Sequence, residues 1–138
     1  MAHIFVSYAR KDVDAADRLV GTLGKAGYEA WIERQIPGGE LWKKQIVQAI
    51  EKAQAFLVLL SRNSVASDNV SKELDLADSR KKLIFPRVIA RMTIPHEMEY
   101  SLAGLQLIDF VSSPESGNSQ LLSALKSLHV IAGRQLGR

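Results

Sequence analysis

"AFLVLLSRNSVASDNVSKELDLADSRKKLIFPRV", Ala55–Val88, is the stretch that decides the fold. It opens with an unbroken apolar run, Ala55–Leu60, closed by Ser61. So short a run, rich in branched and aromatic side chains, reads as a strand covered on both faces. A serine-rich segment follows, and then Val70, Leu74 and Ala77 recur at i, i+4 and i+7, the stripe of a buried helix face. "KLIFPRVIA" (Lys82–Ala90) is strand-like again. Strand, helix and strand in close succession predict a right-handed crossover joining two parallel strands. Pro86 has no N–H for a ladder, so this strand is expected to lie toward a sheet edge or to be interrupted there.

The same alternation extends outward in both directions. Upstream, "IFVSY" (Ile4–Tyr8) is a strand, and Asp12 is placed to cap a helix with inner face Val13, Ala16, Val20 and Leu23, closed by Gly27. "YEAWIE" (Tyr28–Glu33) alternates as a strand does, and "RQIPGGE" is a turn-rich loop. Trp42, Ile46, Ala49, Ile50 and Ala53 mark a second helical stripe. Downstream, "IPHEMEYSLAGL" is a short helix, "LQLIDF" (Leu105–Phe110) a fifth strand and "SPESGNS" a loop. A last helix is expected over about Gln120–Ile131, with Leu121, Leu122, Leu125 and Leu128. These readings predict an α/β domain over residues 1–132, with a tail, 133–138, that frays. The fold class is a doubly wound, five-stranded parallel sheet of flavodoxin-like order 2-1-3-4-5 with helices on both faces.

Composition narrows the function. At 138 residues the chain is long enough for one sizeable core. Eighteen Lys and Arg against fifteen Asp and Glu give a formal charge of only +3, so charge alone implies no nucleic acid partner. The absence of cysteine excludes a disulfide framework, a thiolate metal site and a cysteine nucleophile. No apolar run approaches the ~18 residues of a membrane span, and no signal-peptide pattern opens the chain, so a cytoplasmic location is expected. "PGGE" is no dinucleotide fingerprint, and no Walker A sequence is present. A phosphate-accepting receiver would need an aspartate at the end of strand three, where Ser61 stands. His3, His96 and His129 are scattered without ligand spacing, so no metal site is expected. The serines of "SRNSVAS" have no histidine placed to activate them, and helix-entry capping accounts for them.

Two features remain. Glu73 lies ~40–60° around the helix from Ala77 and Val70, on the shoulder of the buried stripe. It is either a surface acid paired with Lys72, Arg80 or Lys81, or a working carboxylate. The proposed strand order puts a switch point between strands one and three, where ligands bind at the carboxyl ends. The segments meeting there each carry an arginine (Arg10, Arg34, Arg62 and Arg91), suited to a pyrophosphate beside a carboxylate for ribose. The second feature is "RQIPGGELW", either a plain connection or an exposed loop with an apolar tip.

"IFVSYARKD", "GYEAWIERQIPGGELWKKQI", "AFLVLLSRNSVASDNVSKELDLA" and "LQLIDF" together, in this order and spacing, resemble the Toll/interleukin-1 receptor (TIR) domain family over nearly the whole chain. The style is that of its bacterial members. The resemblance implies an NAD nucleosidase that cleaves the nicotinamide–ribose bond, with NAD as substrate and no cofactor. It places the catalytic glutamate on Glu73 and the nicotinamide–ribose pocket loop on Tyr8, Ala9 and Arg10. Arg34, and Leu41 with Trp42 just past the loop, join the expected substrate-binding set. Gln35, Ile36, Pro37, Gly38 and Gly39 are the assembly loop by which the family self-associates, in places as filaments. Asn69, also a candidate substrate contact, stands where members often have tryptophan, so a stacking wall is either missing or supplied by Trp42 or Trp31.

The product implied is ADP-ribose or a cyclic isomer of it, formed in immune or defence signalling. The competing implication is a non-catalytic TIR interaction module. Glu73 discriminates between them, because a scaffold needs no acid there. The sequence leaves open a whole protein or a domain cut from a longer one.

Overall fold

Residues 3–32, 40–103, 108–109 and 114–127 are described by a computed structural model of the chain. The strands are β1 (Ile4–Ser7), β2 (Ala30–Ile32), β3 (Ala55–Leu60), β4 (Leu83–Val88) and β5 (Ile108–Asp109). They form one sheet in the order β2-β1-β3-β4-β5, with every pairing parallel. The expected strand order and fold class are therefore observed. The helices are α1 (Val13–Lys25), α2 (Glu40–Lys52), α3 (Arg62–Val65), α4 (Asp68–Ser79), α5 (His96–Leu102) and α6 (Pro114–Ser127).

β3 lies at the centre of the sheet, and all six of its side chains are buried. Ala55, Leu57 and Leu59 join Ile4, Val6, Leu19, Leu23, Leu121 and Leu125 beneath α1 and α6. Phe56, Val58 and Leu60 join Phe5, Ile46, Ile50, Val70, Leu74 and Met98 beneath α2, α4 and α5. The strand's period of two thus feeds two cores, one on each face. Each fully buried large apolar side chain contributes about 1.5–3 kcal/mol of transfer free energy, which makes β3 the strand hardest to perturb. Neighbouring strands align an aromatic stack across the second core. Phe5 pairs in register with Trp31 and with Phe56, and its ring lies 5.1 Å from the first and 5.4 Å from the second.

Pro86 stands in a strand toward the sheet edge, as expected, and does not interrupt it: β4 is next to last in the sheet and pairs with β3 over its whole length. Among the described residues, β5 meets β4 at Arg87 and Val88. Other local expectations are corrected. The buried residues of α1 are Ala16, Leu19 and Leu23, while Val13 and Val20 are half-buried. Asp12 makes no capping bond from the N-cap position of α1, because a 3-10 turn over Arg10–Asp12 carries its carboxylate elsewhere. The helix entry after β3 is in two parts, α3 and then α4. Ser61 and Ser64 cap α3 reciprocally, and Ser67 caps α4 by accepting from the Val70 amide. α6 starts at Pro114, so "SPESGNS" is largely helix rather than loop. Proline is favoured at a first helical position, and the polar turn that follows shows no apolar stripe. Gly27, expected to close α1, adopts φ 91° and lets the chain turn into β2. Leu128, Ile131 and the tail lie outside the described residues.

Candidate active site at the β1–β3 switch point

The order of the sheet reverses direction at β1 and β3, and the carboxyl ends of these strands form the crevice expected to receive ligands. α4 packs across both strands from the second core face. Its buried residues are Val70, Glu73, Leu74 and Ala77. The shoulder position read from the sequence is thus inside the stripe, and Glu73 is only 6% exposed. This removes the reading of Glu73 as a surface acid. Arg80, one of its expected surface partners, instead pairs with Glu51 at 2.9 Å.

The last residue of β1 bonds the carboxylate. Ser7, 1% exposed, donates its hydroxyl to Glu73 Oε1 at 2.6 Å. That length is typical of a charge-assisted O–H···O⁻ bond. Ser7 is not among the site residues expected from sequence, although the pattern carries a signal for it. In "IFVSY" the period of two puts Ser7 on the Phe5 face, toward α4, and Tyr8 on the other. Tyr8 indeed packs against the core beneath α1 and α6.

Beside Glu73 opens a cavity of about 250 Å³ between α2 and α4. Asn69 and Glu73 share its α4 wall, one helical turn apart, with Leu76 beyond. Ile46 and Val47 of α2 supply the facing apolar surface, and Lys43 and Lys72 bring positive charge. The arrangement sets one buried carboxylate against a mostly apolar hollow. Chemically, it suits stabilising a positive charge that develops in a bound molecule.

The other expected site residues are dispersed. Ala9 is buried and Arg10 is exposed, and neither is among the described residues that line the Glu73 cavity. Arg62 and Arg91 come together as expected at the carboxyl edge, but in a separate hollow of about 380 Å³ with Val65, Met92 and Thr93. Arg34, Gln35, Ile36, Pro37, Gly38 and Gly39 lie outside the described residues, as do the side chains of Leu41 and Trp42 in α2. Trp31 is stacked on Phe5.

A second cluster joins the segments that follow β1 and β3. Ser61 donates to Asp12 Oδ2 at 2.5 Å, and Asn63 Nδ2 donates to Asp12 Oδ1 at 3.0 Å. The carboxylate expected to cap α1 therefore ties the loop after β1 to the start of α3.

A family model described as "TIR domain" matches residues 4–124. The chain belongs to the TIR domain family. Its fold is similar to the TIR domain of the Toll-related receptor TRR-2 from Hydra magnipapillata, at TM-score 0.72 and 20% identity, covering 91% of this chain and 96% of that one. It is also similar to the TIR domains of the activated Roq1 resistosome, which directly recognises the pathogen effector XopQ. There the TM-score is 0.56 and the identity 13%, over 93% of this chain and 72% of the other. The CMP N-glycosidase BcmB of Clostridium botulinum matches at TM-score 0.63 and 17% identity, over 87% of this TIR domain and 98% of the glycosidase. No curated protein matches the chain significantly. No helix among the described residues is long and apolar enough to cross a membrane.

Proposed function

We propose that this TIR domain cleaves the nicotinamide–ribose bond of NAD, with Glu73 as the catalytic carboxylate. The observation that carries the reading is the buried Ser7–Glu73 pair at a cavity beside the switch point. A domain that served only as a scaffold would have no use for a buried, hydrogen-bonded acid facing a hollow, and burying one is costly unless it is paired. The N-glycosidase activity named for BcmB lends support, because it too breaks a bond between ribose and a nitrogen base.

In the proposed reaction the C1′–N bond breaks and its electron pair leaves with nicotinamide. The sugar is left oxocarbenium-like. Nicotinamide departs from a cationic state, so no general acid is required and a single carboxylate suffices. Glu73 stabilises the developing charge on ribose more than the ground state, and this difference lowers the barrier. Water then attacks C1′ and loses a proton, giving ADP-ribose; attack by the substrate's own adenine or ribose gives a cyclic isomer. A hollow of about 250 Å³ is below the ~300–1,000 Å³ of a typical whole-ligand site, so it accommodates the nicotinamide–ribose half of the dinucleotide. NAD is the substrate, and no cofactor is invoked.

Self-association belongs to the same proposal. The segment Arg34–Glu40 carries Ile36 beside Pro37 and two glycines, a composition suited to insertion into a neighbouring copy. Head-to-tail contacts of that kind are heterologous and extend into open filaments. Assembly would then activate the domain in immune or defence signalling. The test is incubation of concentrated domain with NAD and chromatography of the products. Release of nicotinamide with ADP-ribose or a cyclic isomer is expected, and intact NAD would leave the interaction module as the better reading.

A further inference from the structure

Arg87 lies on the sheet face opposite Glu73. It is two residues beyond Phe85 on β4, so it points to the same side, toward α1 and α6. It is 1% exposed, and its Nη2 donates to Asn118 Oδ1 of α6 at 2.7 Å. A guanidinium buried this deeply is rare, because charge is expensive to take out of water.

Arg87 forms part of the wall of a cavity of about 480 Å³, the right size for a small organic ligand. α1 contributes Arg18, Thr22 and Lys25 to it. These stand at i, i+4 and i+7, so one helical face brings two cations to the same wall, while the Thr22 hydroxyl between them donates to the Arg18 carbonyl at 3.1 Å. Every charged residue among the described lining is a cation, while Leu19, Leu59 and Ile89 give an apolar wall. A cavity with charge of one sign and low-dielectric walls focuses its field on an incoming anion. The planar fork of arginine matches phosphate oxygens, and its face stacks on rings.

We propose that this cavity is a second ligand site, for a nucleoside phosphate whose phosphate meets Arg18, Lys25 and Arg87 and whose base lies on the apolar wall. The site is independent of the Glu73 chemistry, since it shares no lining residue with that cavity.

Adenosine monophosphate, adenosine and inorganic phosphate would be titrated at low salt into ¹⁵N-labelled protein, with affinity read by calorimetry and location by amide shifts. The nucleotide should bind saturably, shift amides of α1, β4 and α6, and bind more tightly than adenosine or phosphate alone. The double variant Arg18→Glu, Lys25→Glu alters only exposed α1 positions and should keep the fold, confirmed by its melting curve. It should weaken nucleotide binding by at least ~10-fold, the effect of losing two charge-assisted contacts. Binding by the double variant equal to wild type would overturn the proposal. So would shifts confined to α2 and α4, or no saturation by ~10 mM nucleotide. Inorganic phosphate binding as tightly as the nucleotide would overturn the assignment of a nucleoside.

Discussion

Replacing Ser7 by alanine removes one oxygen atom and should impair the proposed reaction far more than so small a change suggests. The bond lost is short and buried, from a hydroxyl to a carboxylate at 2.6 Å. A hydrogen bond to a charged group is worth about 1.5–3 kcal/mol. If Ser7 holds Glu73 in the orientation that stabilises the transition state, most of this is lost from the barrier. At 1.4 kcal/mol per factor of ten, kcat should then fall roughly 10- to 100-fold, with KM changed much less. The pH profile adds a signature. A donor to the carboxylate favours its ionised form, so removing the donor should move the acid limb of kcat to higher pH. Losing a buried hydrogen bond to a carboxylate also costs stability, about 1–3 kcal/mol, seen as a Tm lower by several degrees. Ser7→Thr keeps the hydroxyl, on a β-branched residue that strands favour, and should restore the rate and the acid limb. The assay is nicotinamide release across pH for the three proteins. A Ser7→Ala variant with wild-type kcat and an unshifted acid limb would refute the positioning argument, whatever its Tm.

Asn69→Trp, on the wall shared with Glu73, should lower KM for NAD by adding stacking surface; base–aromatic stacking is worth about 1–3 kcal/mol. The unmodified domain, with the wetter pocket that asparagine leaves, should yield mainly ADP-ribose, and a mostly cyclic product on chromatography would show that another side chain closes the pocket. Ile36→Asp or Gly39→Pro should weaken assembly without unfolding, so specific activity should rise with concentration in the wild type and flatten in the variants; constant wild-type activity across a broad dilution series argues against an assembly loop. Phe5→Ala removes the central ring of the Trp31–Phe5–Phe56 stack and should cost about 3–5 kcal/mol in chemical denaturation.

Much of this was legible because the sheet is parallel. A parallel sheet needs a crossover between strands, so strand and helix patterns alternate along the chain and the strand order follows from few choices. Ala55–Leu60 reads as the central strand because only a strand covered on both faces is apolar at every position. The misreadings occurred where contacts between distant residues override local propensity. Asp12 looks like a cap in sequence, but Ser61 and Asn63, 49 and 51 residues away, claim its carboxylate. Glu73 was singled out by its place beside the stripe, yet its full burial depends on β1 and α2 closing over α4. Ser7 does not stand out in sequence, because a serine in an apolar strand looks like a minor irregularity. Strand parity puts it on the α4 face, but only the packing of α4 across β1 supplies the acceptor.

Whether Glu73 is the catalytic carboxylate is read from the rate of nicotinamide release by the Glu73→Gln variant beside the wild type. Glutamine keeps the shape and still accepts from the Ser7 hydroxyl, so Tm should change little while the charge disappears. The wild type should cleave NAD and the variant should lose at least ~10²-fold, the scale for removing an electrostatic transition-state group. Cleavage at the wild-type rate by a folded Glu73→Gln protein would contradict that role.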